Sequence, residues 1–375
     1  MGGAFAAGAW IDFFALQPAI SQTSSAEWIY VRHLQAMCIG MGLLQLVFQE
    51  FLELAGELTF RRMLAGLTML GGAALYLLGA LPYATAEIGI LGTGILLLGF
   101  AAQSVEARRV KNAYPLPQIA LLLAWGMGIH LLLALVGDYP EQFRWAELGP
   151  PEGLRLRMLR LGQMAAIALP VLAFLYEGIA EQETQHQAAM RWGRIGLLTG
   201  AAGMPLILVL AAFFSYDIKY LLTLPVGATV LGTWVAAWLA GKTSRSEAGF
   251  WILVGLSMAV GQWMGTFAFD GPMAAPVWMQ DYLTASRRVI RLAHTYGIML
   301  GIAGIFFSRR AVQGDELGIT KSGLFLYSWG TIFALTALAV ATWTDVTGWV
   351  LATGPAIVAL GIATNLISFR VAARK

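Results

Sequence analysis

Charge and cysteine are what this sequence has least of. Only 12% of its 375 residues are Asp, Glu, Lys or Arg, where a soluble domain carries about a quarter. So few charges exclude an ordinary soluble domain. The single cysteine, Cys38, stands in an apolar run, so no disulfide can form within the chain. A formal charge of +3, with no basic stripe, argues against a nucleic-acid partner. There is no phosphate loop, no Ser/His/Asp or Cys/His arrangement and no Cys-x-x-Cys. The glycine-rich stretches lie inside apolar runs, where a nucleotide-binding turn has no place. The N-terminal apolar stretch lacks a basic leader region, so it is expected to stay in the protein as a helix rather than be cleaved.

What is abundant is apolar surface, at 58% of residues. A bilayer core takes roughly 20 mostly apolar residues per helix, so with short connections the chain has room for about twelve spans. Apolar runs separated by charged or Pro/Gly/Ser-rich breaks predict helices near 4–20, 29–52, 63–82, 86–105, 116–137, 157–179, 193–214, 219–240, 249–269, 288–308, 322–343 and 346–369. The first is short and holds Asp12. The whole of 1–375 is expected to be one transmembrane domain in the lipid bilayer. The connections after even-numbered spans, with the C-terminal tail, carry 15 Lys and Arg, against 9 on the other side. That asymmetry predicts both termini in the cytoplasm, in a bacterial inner membrane.

Three spans begin alike. The second opens Arg32-His33-Leu34-Gln35, the sixth Arg160-Leu161-Gly162-Gln163, and the tenth Arg291-Leu292-Ala293-His294. The arginines are 128 and 131 residues apart, a step of four spans. Gly66 and Gly196, and His130 and Gln262, keep nearly the same step; Asp138 and Asp270 each follow eight residues after the second pair. The spacing suggests repeats of about 1–110, 111–245 and 246–375. The competing account is chance, since membrane helices draw on a small alphabet. Units of four helices have parallel topology, unlike the inverted repeats of many transporters.

Twelve helices in three successive groups of four resemble subunit I of the heme-copper oxidase superfamily, which includes the nitric oxide reductases. The resemblance covers nearly the whole chain, at the level of architecture. It implies an all-α polytopic membrane protein with three four-helix arcs around a pseudo-threefold axis. The tenth span, from Arg291 through His294-Thr295-Tyr296-Gly297 to Gly301, looks like the family's helix-ten segment. The likeness places His294 where that family binds its low-spin heme. The departures are large. The second span has Gln35 where Arg-x-x-His requires histidine, and His33 lies about 200° away around the helix. The sixth span has no histidine followed by tyrosine, the seventh has Leu197 and Leu198 in place of paired histidines, and the tenth has Leu292 at the first position of His-x-His. With four histidines in the chain, a binuclear centre has no ligand set. No copper is expected, and oxygen or nitric oxide reduction at such a centre is not.

The resemblance therefore implies a non-catalytic oxidase-like subunit, holding one heme b for electron transfer or serving as a structural partner among respiratory-complex subunits. His294 is the expected axial ligand, with His33, or else His130, opposite. Arg287, Arg288 and Arg291 stand one or two turns nearer the outer surface, placed to pair with propionates. The bland account of the same residues is a histidine hydrogen-bonded to a neighbouring helix and arginines at lipid headgroups. His186 sits in a polar connection and is expected to be solvated. Glu50, Glu53 and Asp12 read as charges that reach water near helix ends rather than a proton path. A different class, a small-molecule or ion transporter, also suits a dozen helices. Against it, Pro170 and Pro205 interrupt the sixth and seventh spans only, and not matching halves.

Overall fold

The computed structural model describes residues 40–42, 44–45, 47–48, 60–79, 86–108, 115–138, 154–180, 185–265, 267, 274, 276, 285–313, 319–341, 353–354, 356–358 and 360–364. Nine long helices run through them: α1 Phe60–Gly79, α2 Ala86–Ala107, α3 Leu116–Asp138, α4 Leu154–Ala180, α5 Gln187–Phe213, α6 Thr223–Ala240, α7 Arg245–Gly265, α8 Ala285–Gln313 and α9 Ile319–Ala341. A 3-10 turn, Tyr216–Leu222, joins α5 to α6. No strand occurs among the described residues. The third to eleventh expected spans thus each meet a helix. The first expected span lies outside the described residues, and the second and twelfth are described only in part.

Eight of these segments are long and apolar enough to cross a bilayer by length and composition. Val289–Arg309 within α8 has 21 residues, about 30 Å of helix, the thickness of a hydrocarbon core. The outward faces of these helices are apolar as well. Leu98 is 65% exposed and Leu224 is 73% exposed, and Leu91, Leu98 and Val105 form an exposed apolar row along α2. A helix apolar on its outer as well as its inner face suits lipid. The described residues therefore have the make-up of an integral membrane protein.

The chain divides into two compact units, one spanning Leu43–Val235 and one that includes Ala236–Lys375, with the division inside α6. In the first, α1 to α5 pack each on the next in chain order. Close approach of backbones makes this possible. A Cβ added at Gly79 would fall on the backbone of Gly89, and one at Gly92 on that of Tyr76. Without a hydrophobic drive between helices in lipid, such small-residue contacts supply the dispersion energy of association. Pro170 inside α4 leaves the Ala166 carbonyl without its helical partner, and Gly126 of α3 packs directly against that oxygen.

The α4–α5 pair is fastened at both ends. Arg155 donates to the Ala212 carbonyl at 3.1 Å. At the other end Tyr176 donates to the Met190 carbonyl at 3.0 Å, and Arg194 Nε donates to Glu177 Oε1 at 2.8 Å. In the second unit α7 packs on α8 and α8 on α9. Tyr327 of α9, fully buried, donates to the Leu300 carbonyl at 2.7 Å.

Candidate functional site

The α7–α8 interface carries the residue that the sequence singled out. On α8, positions 294, 297, 301 and 304 fall on one face, spaced three, four and three residues, and the last three are glycine. Opposite them on α7 stand Gly261, Ser257, Val254 and Phe250. A Cβ at Gly297 would meet the Ser257 side chain, one at Gly301 would meet Val254, and one at Gly304 would meet the Phe250 ring. His294 heads this row, and its ring lies against Gly261, where a Cβ would fall on three of its atoms.

His294 Nδ1 lies 2.5 Å from the Ser257 carbonyl oxygen. A carbonyl oxygen only accepts, so Nδ1 carries the proton and, in the neutral ring, Nε2 keeps the lone pair. Among the described residues, Nε2 makes no hydrogen bond. The ring is half-buried. The geometry is that of an imidazole held by one nitrogen and offering the other as a base.

The flanking arginines are placed as follows. Arg287 is buried and donates to the Phe267 carbonyl, just past α7, at 3.2 Å. It lies four residues before Arg291, which lies three before His294, so the three share a helical face. Arg291 is half-buried, and its carbonyl accepts from Thr295 at 3.0 Å. The backbone of Arg288 belongs to α8, and its side chain lies outside the described residues. His33 lies outside them too. Arg160 is exposed on α4, and Arg32 falls outside the described residues.

His130 and His186 belong to the unit Leu43–Val235. His130 is buried in α3, its ring edge-on to Tyr76 of α1 at 4.8 Å between centroids. His186 stands half-exposed at the start of α5, where its carbonyl accepts the Met190 N–H at 3.0 Å. Among the described residues, no group of three or more His, Cys, Asp or Glu is placed to hold a metal ion.

At the far end of the α7–α8 pair lies a feature that the sequence reading missed. Glu247 Oε1 accepts from Arg309 Nε at 3.0 Å and Nη2 at 2.8 Å, and from Trp251 at 3.2 Å. Glu247 also takes the third position of a Ser244-x-x-Glu247 helix start, its N–H donating to Ser244 Oγ at 3.3 Å. That motif was readable; the partner 62 residues away was not. Gly261 and Ser257 were missed for the same reason, although the glycine row of α8 was visible. No family model, curated protein or solved structure matches the chain.

Proposed function

We propose that the chain is a non-catalytic, heme-copper-oxidase-like membrane subunit that holds one b-type heme on His294 for electron transfer in a respiratory assembly. The observation that supports the reading most directly is the His294 imidazole, anchored through Nδ1 on the Ser257 carbonyl with Nε2 unbonded among the described residues. A heme-ligating histidine has this arrangement: the outer nitrogen donates to a carbonyl, and the inner lone pair meets the iron. The described residues thus fit one axial ligand. The opposing ligand in this proposal is His33.

The heme would supply reversible one-electron storage. The work of the protein is to hold and orient. Ser257 fixes the tautomer of His294, and the Gly261 backbone gives the ring its room. Arg291 and Arg287, one and two turns away on the same face, provide positive charge at the level where propionates would lie. Arg287 also donates to the Phe267 carbonyl, which ties its side chain to the end of α7. Twelve spans in three arcs of four, with both termini cytoplasmic, complete the proposal.

The test is a reduced-minus-oxidised spectrum of the full-length protein purified from heme-supplemented cells, beside His294→Ala. The expected result is a b-type spectrum in the wild type that the variant loses while keeping its helical content. A folded wild type without pigment, or an unchanged spectrum in the variant, overturns the heme reading. A pigment-free fold would leave the cofactor-free structural subunit and the transporter.

A further inference from the structure

We infer that Gly261 and the Ser257 carbonyl are positioning groups for the His294 imidazole, one setting the plane of the ring and the other setting which nitrogen carries the proton. The inference rests on the heme reading and deepens it. It starts from the row His294, Gly297, Gly301, Gly304. Three of these positions admit only a small residue, because the α7 side chains opposite fill the space a Cβ would need. An imidazole in the same row would hold the helices apart unless α7 gave way opposite it. At Gly261 it does, and the ring occupies the volume of the missing Cβ.

The second constraint comes from one turn earlier on α7. The Ser257 carbonyl is the one that α-helical geometry pairs with the Gly261 N–H. A carbonyl has two lone pairs, and His294 Nδ1 takes the second at 2.5 Å. The same turn of α7 therefore supports the face of the ring and receives its edge. With both fixed, Nε2 projects in one direction as an unprotonated base. Donation from Nδ1 to a carbonyl also raises the basicity of Nε2 as a ligand.

Alanine at 261 displaces the ring and loosens the bond to Ser257 while leaving residue 294 a histidine. Three readouts separate positioning from packing. In heme-free protein carrying ¹⁵N-labelled histidine, the wild-type His294 shows a single Nδ1-protonated tautomer, and Gly261→Ala shows a mixture. With heme, Gly261→Ala binds about 10–100-fold more weakly. Its ferrous form gains about tenfold over the ferric form, a rise in potential of ~59 mV for one electron.

Two controls lie on the same two helices. Gly265, with open space where its Cβ would go, tolerates alanine with all three readouts unchanged. Gly304→Ala, which meets the Phe250 ring, lowers the melting temperature and leaves tautomer and potential as in the wild type. A Gly261→Ala protein with wild-type tautomer, affinity and potential overturns the inference, as does a Gly304→Ala protein that matches Gly261→Ala in every readout. If the wild type takes up no heme, the functional reading fails alone, and the tautomer in the heme-free protein still decides the positioning.

Discussion

Replacing Arg309 with methionine strips the charge from a buried ion pair while keeping most of the side-chain stem, so it asks what a carboxylate costs at the end of a membrane helix. In the native pair the side chains of Arg309 and Glu247 are 21% and 9% exposed, and Glu247 Oε1 accepts from two guanidinium nitrogens and from Trp251. Removing one partner of a buried pair costs about 3–5 kcal/mol, because the other charge stays behind. Two features pull Arg309→Met to the low end. Trp251 still donates to the carboxylate, and a hydrogen bond to a charged group is worth about 1.5–3 kcal/mol. Water also reaches the space that the guanidinium leaves, which weakens the pair as it does any partly exposed one. The expected loss is ~3 kcal/mol. Glu247→Gln alone leaves a cation near water and should lose ~1 kcal/mol. The double variant has no stranded charge, and an ion pair replaced as a whole is often nearly neutral, so it should also lose ~1 kcal/mol. A coupling of ~3 kcal/mol follows. Reversible unfolding of the four proteins in mixed micelles, at one detergent composition, measures it. An Arg309→Met protein within about 0.5 kcal/mol of wild type, or additive single losses, would refute the claim that a Glu247 carboxylate left without its partner is costly here.

Two further outcomes use the same assay. Gly92→Ala sets a Cβ against the backbone of Tyr76, which cannot yield as a side chain would, so it should cost about 1–3 kcal/mol. Gly94, two residues on with open space at its Cβ, should accept alanine within about 0.5 kcal/mol. Tyr176→Phe removes the donor to the Met190 carbonyl and keeps the ring packed on Gly193. It should cost about 1 kcal/mol, the net worth of one neutral hydrogen bond. A loss several times larger would mean that the hydroxyl serves a wider network.

The helices were legible because bilayer thickness sets one length scale that apolar runs must meet. The run near 193–214 was placed six residues late at its start, where α5 begins at Gln187. The cause is Met190-Arg191-Trp192-Gly193-Arg194, a charged opening that hydropathy reads as a break. The structure shows why the charge is tolerated: Arg194 is bound to Glu177 across the helix pair. The run near 219–240 meets one membrane-length segment, Asp217–Ala240, which opens as a 3-10 turn and continues as α6 to the expected end. Short-range polarity misplaced the start of α5, because what satisfied Arg194 lay on another helix. His294 was found from its own helix, by an arginine three residues before it and the small residues after it. What holds its ring lies 33 and 37 residues earlier in the chain, at Gly261 and Ser257, a relation that only antiparallel packing creates.

That relation also bears on why a histidine stands at position 294. Association of α7 and α8 in lipid is served best by small residues in close contact, and a glycine there would continue the row of 297, 301 and 304 at no cost in polarity. A polar brace to the Ser257 carbonyl could be made by serine or threonine with far less volume. The imidazole requires more: a second glycine across the interface, and room for a half-buried polar ring whose Nε2 makes no hydrogen bond among the described residues. An unpaired polar group within a membrane is expensive. The property that imidazole has and the smaller residues lack is a strong, neutral nitrogen base. Under the proposed heme reading the interface is shaped around that base, which the packing of two helices alone would not require.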